Sequence, residues 1–127
     1  MPPEVKKEIS EGLDCLSVGA YNGFAGLCRR TIQAICTITG AGSSTKVQAQ
    51  IEEMANAAGL DDETKRIAIE IMLAGHDGSH PHLPDVNSDR AAILLELVRD
   101  IVYQMFTRPG RIKQSAELRK AAIAAKK

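Results

Sequence analysis

A chain of 127 residues, 44% of them apolar and 25% charged, has the size and composition of one globular domain, with no room for a second core. That composition excludes both a disordered tail and a polytopic membrane protein. Sixteen basic residues balance sixteen acidic ones, but Arg108 to Lys127 holds seven basic residues against Glu117 alone, a net of +6 that leaves −6 on residues 1 to 107.

Apolar residues recur at helical spacing throughout, and no segment alternates with the period of a strand. A first helix starts after Pro2 and Pro3, carries Val5, Ile9, Leu13 and Leu16 as one stripe, and ends at Gly19. The second places Phe24, Leu27, Cys28, Ile32, Ile35 and Cys36 on an inner face and stops in the turn Gly40-Ala41-Gly42. Ser43 or Ser44 caps a third, with Val47, Ile51, Met54 and Ala58 inward and Gly59 as its stop. Asp61 caps a fourth, whose apolar set is Ile67, Ile71 and Leu73 and which runs into Gly75-His76-Asp77-Gly78-Ser79-His80 before Pro81 and Pro84 force a loop. Ser88 caps the fifth, with a seam of Ala91, Leu95, Val98, Val102 and Met105, and Pro109-Gly110 ends it. The remainder, with Ile112, Leu118 and Ile123, forms a basic amphipathic helix that needs a surface to lie against. The fold expected is all-α: an antiparallel four-to-five-helix bundle over residues 1–107 and a basic C-terminal extension over 108–127.

Cys15, Cys28 and Cys36 are odd in number and lack CxxC or finger spacing, so they read as core residues, not as a disulfide framework or zinc site. The N-terminus places charges where a signal peptide needs its apolar region, which gives the cytoplasm as the expected compartment and no membrane contact. No cofactor motif is present: Gly40 to Lys46 lacks the order of a phosphate loop and follows a helix instead of a strand. Gly19, Gly23 and Gly26 are read as points of close helix approach.

The chemically dense stretch is His76, Asp77, His80 and His82. One helical turn separates His76 from His80, so two imidazoles could work as an acid and a base, although no zincin glutamate accompanies them and no metal site is assigned. Arg29 and Arg30 lie about 100° apart on a helix with buried neighbours, so at least one must face a cleft or a partner. An interhelical salt bridge to Glu52, Glu70 or Asp100 is the favoured use of it. The scarcity of aromatic residues argues against base-stacking modules, and Arg108, Arg111, Lys113, Arg119 and Lys120 are the candidate nucleic-acid contacts. The same basic segment could instead lie on the acidic body of its own or a partner subunit, which the neutral total favours.

The run CLSVGAYNGFAGLCRRTIQAI, the Leu60-Asp61-Asp62-Glu63 junction, MLAGHDGSHPH and the long closing helix resemble the domain of unknown function family numbered 4145. That family is similar to the HEPN superfamily of helical bundles, so the resemblance implies a dimer and a nucleic-acid-related or phage-defence setting. Within the pattern, Gln33 stands for an acid and His76 for an asparagine. The arginine that would accompany His80 in a metal-independent ribonuclease is missing, because Leu73, Ala74 and Gly75 occupy its places. The reading reached from the sequence is a non-catalytic, homodimeric HEPN-like binding or regulatory module. Its expected polar cleft holds Arg29, Arg30, Gln33, His76, Asp77 and His80. A ribonuclease using His80 and His76, or a nucleic-acid binder acting through residues 108–127, is the alternative.

Overall fold

The computed structural model describes residues 1–40 and 46–126, and within them the chain is helical with no strand. The helices are α1 (Pro3–Ser17), α2 (Tyr21–Ile38), α3 (Val47–Ala58), α4 (Asp62–Ser79), α5 (Ser88–Val102) and α6 (Arg108–Lys126), with a π-helical turn at Tyr103–Thr107 joining the last two. The expected Ser43 or Ser44 cap and the Gly42 turn lie outside the described residues.

Chain punctuation sets most boundaries. Pro3 opens α1, where a missing N–H costs nothing. Gly19, Gly40 and Gly59 take left-handed φ values of +75°, +82° and +67° after the first three helices. Gly19 is therefore a turn residue, and the helix approach expected there falls elsewhere. Asp61 accepts from the Thr64 amide at 2.8 Å and caps α4 as expected. The cap of α5 is Asn87 instead of Ser88: its Oδ1 accepts from the Arg90 amide at 2.9 Å, while Ser88 is already helical.

The core lies around α2, which packs chiefly on α1 and α4 and also touches α3 and α5. Phe24, Ala25, Cys28, Ile32, Ile35 and Cys36 are its buried face, with Leu27 half-buried. Thr31 is buried among them because its hydroxyl donates to the Leu27 carbonyl at 2.8 Å, leaving no orphaned donor. Stripes on four helices depart from their expected positions. Thr64, Ala68, Ile71, Met72 and Gly75 are the buried residues of α4, whereas Leu73 is exposed. In α5 the buried line is Ala91, Leu94, Val98 and Ile101, with Leu95, Val102 and Met105 half-buried beside it. Leu13 on α1 and Ala58 on α3 face outward.

The largest correction concerns Pro109-Gly110, which does not end a helix. Tyr103 and Arg108 both keep right-handed helical dihedrals, so the backbone coils continuously from α5 through the π turn into α6. Proline removes one N–H and crowds the carbonyl four residues before it, which here belongs to Met105 inside the π turn. The wider ring of a π turn accommodates that defect. Residues 111–126 are rich in Ala, Lys, Arg, Glu and Leu, all strong helix formers, and Lys126 complements the dipole at the C-terminal end. No residue of α6 is buried.

Candidate functional site

Two glycines bring α4 unusually close to α2. A Cβ on Gly75 would overlap the Cβ of Arg29 and come within 2.8 Å of the Ala25 carbonyl; one on Gly78 would stand 2.9 Å from the Asn22 carbonyl. Backbone therefore lies against backbone, and whatever α2 projects at this height meets the last turn of α4. At Gly26 the fit is ordinary, with Ser79 Oγ at 3.6 Å, while Gly23 abuts Cys15 Sγ at 3.3 Å and so serves the α1 side.

At this crossing Arg29 Nη1 lies 3.3 Å from His76 Nδ1, across 47 positions of sequence. A guanidinium only donates, so His76 Nδ1 accepts and the neutral ring carries its proton on Nε2. His80, at the C-cap of α4, sets its Nδ1 2.7 Å from the His76 carbonyl oxygen. A carbonyl only accepts, so this Nδ1 donates and a neutral His80 keeps its lone pair on Nε2. These tautomers follow from the partners. The His76 and His80 rings lie with centroids 4.2 Å apart at a 41° tilt, and His82 meets His80 edge-on at 5.8 Å. Arg29 and His80 are half-buried and His76 is exposed, so the group is open to solvent.

The remaining sequence candidates point elsewhere. Arg30, one step around the helix, reaches α1, where Nη2 donates to Glu8 Oε1 at 2.9 Å. Its partner is none of the carboxylates anticipated for it; Glu52 pairs instead with Lys65 at 3.2 Å. Glu8 is buried, and its Oε2 has no hydrogen-bond partner. Asp77 faces α5 and holds Arg90 at 2.8 Å. Gln33 is exposed one turn further along α2 and makes no side-chain bond to the histidines.

Sequence reasoning passed over Asn22 as a functional position. Its Oδ1 accepts from the Val86 amide at 2.8 Å, and its Nδ2 donates to Asp85 Oδ1 at 3.2 Å. This bridge pins the proline-containing loop onto α2, and Val86 is buried under it. With Arg90 holding Asp77 and donating to the Asp85 carbonyl at 3.4 Å, the segment carrying His80 and His82 is tethered on both sides. The signal available in the sequence was a polar side chain in the first turn of an otherwise apolar helix, beside two glycines whose spacing matched those on α4.

Cys28 and Cys36 supply no nucleophile. Burial pushes the Cys28 thiol up to about 12 and that of Cys36 up to about 11, so both stay protonated at neutral pH. Among the described residues no three His, Cys, Asp or Glu side chains converge as a metal site requires, and no helix is long and apolar enough to cross a membrane. The cations Arg108, Arg111, Lys113, Arg119 and Lys120 all stand exposed on α6. Arg108 covers the Tyr103 ring at 5.5 Å, and Arg111 donates to Gln114 at 2.7 Å.

No curated protein and no solved structure matches the chain. The family described as "Domain of unknown function (DUF4145)" matches it over residues 10–121, a span running from the middle of α1 through the Arg29/His76 crossing into α6. The chain belongs to the DUF4145 family.

Proposed function

We propose that this protein is a HEPN-like, homodimeric binding module of the cytoplasm, and that Arg29, His76 and His80 are its recognition site for a phosphate-type anion. The observation that carries the reading is the Arg29–His76 contact at 3.3 Å, with the His80 ring tilted against that of His76 at 4.2 Å between centroids. It gathers a fixed cation and two imidazoles on a face opened by Gly75. Arg29 has N–H groups beyond the one spent on His76, and the His76 Nε2–H is a further donor aimed away from α2. Arg29 of α2 meets His76, one turn before His80, where the sequence itself offers no arginine. The phage-defence setting implied by the resemblance is consistent with an RNA or nucleotide phosphate as the anion.

The paired imidazoles favour one second reading, metal-independent RNA cleavage, in which His80 Nε2 takes the ribose 2′-hydroxyl proton, that oxygen bonds to phosphorus and displaces the 5′-oxygen, the His76 Nε2–H protonates the leaving oxygen, and Arg29 steadies the phosphate charge. A single titration separates the two. Imidazole NMR signals of His76 and His80 are followed while inorganic phosphate, then a labelled single-stranded RNA, is added in EDTA. Binding predicts shifts at both rings that weaken at least tenfold in Arg29→Ala, with intact RNA afterwards. RNA cut by the wild type but not by His80→Ala replaces the module with a nuclease; unmoved rings with both probes overturn the site.

A further inference from the structure

A groove of about 510 Å³ runs between the C-terminal half of α4 and the N-terminal half of α5. Its apolar lining includes Leu73, Ile93 and Leu97; of its charged residues, Asp77 and Arg90 neutralise one another at 2.8 Å, while Glu70 and Asp89 form no ion pair among the described residues and leave the groove a net negative charge. Leu73 is 53% exposed and Ile93 56%, unusual for large aliphatic side chains placed side by side. Elsewhere in the molecule α6 has the opposite character. Ile112 is 65% exposed and Ile123 44%. With Ala116 they fall within about 40° of one another on the helix, with Lys113 and Lys120 together along one edge of the stripe and Arg119 at the other.

We infer that the groove is the docking site for α6 of a second copy of this chain, exchanged reciprocally. The inference deepens the homodimer reading by naming the surfaces. Charge selects the pair: residues 108–127 carry +6 and the rest −6, so the tail of one copy and the body of another attract in both directions of a two-fold exchange. Geometry excludes the chain's own groove. Because α5, the π turn and α6 form one continuous coil, Ile112 lies about 28 Å along the helix from Ile93, and a helix cannot double back on itself. Apolar area selects protein over nucleic acid, since phosphates would meet Lys113 and Lys120 but leave Ile112 and Ile123 in water. Reciprocal docking covers Leu73 and Ile93 with those isoleucines and places Glu70 and Asp89 within reach of the flanking lysines.

Charge reversal on each side separately tests this. The groove variant is Glu70→Lys with Asp89→Lys; the tail variant is Lys113→Glu with Lys120→Glu. All four positions are exposed, and a wild-type helical circular dichroism spectrum checks that each variant is folded. By sedimentation velocity the wild type is expected to be a dimer at micromolar concentration and each variant alone a monomer. An equimolar mixture of the two should recover a dimer, because every groove then meets a tail of opposite sign. A wild-type dimer unaffected by either variant overturns the groove while leaving homodimerisation standing. A wild-type monomer overturns both. A monomer whose tail, lost in the tail variant, binds duplex DNA or RNA with steep salt dependence assigns α6 to nucleic acid instead.

Discussion

The α2–α4 crossing and α6 are built from helices of nearly equal length, 18 residues in each of the crossing pair and 19 in α6, yet they owe their existence to different forces. At the crossing, propensity is sacrificed: Gly75 and Gly78 weaken α4 as a helix, and the loss is offset by backbone approach and by the buried face of α2. In α6, propensity is nearly all there is, because no residue is buried and its one substantial neighbour is the π turn from which it grows. Helix formation and helix burial are therefore separate variables in this chain, and the glycines distinguish them. Gly75 has no room for a methyl group, whereas at Gly110 nothing lies within 4 Å of one.

The largest expected effect comes from adding that methyl group. Gly75→Ala forces α4 off α2, an overpacking cost of about 1–3 kcal/mol against which the roughly 1 kcal/mol gain in helix propensity is a partial offset. Because the obstructing atoms include the Ala25 carbonyl, rotamer changes cannot absorb it. Gly110→Ala should have the opposite sign locally, raising α6 helicity without touching the body. Urea unfolding midpoints for the first and helical ellipticity for the second check the pair. A Gly75→Ala protein as stable as wild type would refute the close approach. Loss of the Arg29–His76 contact in the alanine variant should weaken phosphate binding along with stability.

A smaller effect is expected on the other side of α2. Arg30→Ala leaves the Glu8 carboxylate buried with neither oxygen partnered, a loss of about 1–2 kcal/mol after allowing for the exposure of the arginine end of the pair. Replacing Glu8 with Leu in the same background should return most of it, since an apolar side chain suits a site beside Ile9, Phe24 and Cys28. Denaturant titration of the single and double variants measures this directly. A double variant no better than the single would mean that the salt bridge, not the stranded charge, governs the site.

Asp61 joins the two regions. Its carboxyl is held below the usual carboxylate range, first by the hydrogen bond from Thr64 at the start of α4 and, more weakly, by the charge of Arg108 at the start of α6. A depressed folded pKa contributes stability that is present above the unfolded value and is lost as pH falls through the folded one. The stability difference between wild type and Asp61→Ala should therefore be full at neutral pH and vanish in acid below the carboxylate range. Arg108→Ala should move that loss to slightly higher pH. Thermal melts of the three proteins across the acid range decide it, and a difference independent of pH would assign the cap to the backbone alone.

Local signals carried the fold far. Prolines and glycines marked the first three helix boundaries, and the spacing of Phe24, Cys28, Ile32, Ile35 and Cys36 marked the central face, because these depend on φ and on a period of about 3.6 residues. Signals failed where the third dimension decides. Leu73 reads as core by type, but α4 turns its glycines and Ala68, Ile71 and Met72 toward α2 and α3, leaving Leu73 outside. Pro109 reads as a stop, and only a π turn one step earlier permits the coil to pass it. At the site, His76 and His80 were legible as neighbours because one turn separates them. That Arg29 and not Arg30 meets His76 depends on the crossing angle of two helices, which the adjacent arginines do not encode.

The smallest expected effect is the most informative about α6. A chain ending at Thr107 loses the whole of that helix but no buried residue, so at low protein concentration its unfolding free energy should stay within about 0.5 kcal/mol of the full-length value, as for surface changes generally. Amides of α6 should likewise exchange rapidly while those around Ile32 and Ile35 are slow. Docking on a second copy changes this in a defined way: an interaction made only by folded dimers stabilises by mass action, so the gap between full-length and truncated protein should widen as concentration rises. If the gap is large at all concentrations, α6 braces its own body and the contrast drawn with the α2–α4 crossing fails. If it is absent throughout, the helix serves a partner other than this chain. A gap that opens with concentration makes α6 a part of the fold that is completed only in the assembly, and accounts for a basic, half-apolar helix persisting on an acidic body without a surface of its own to cover.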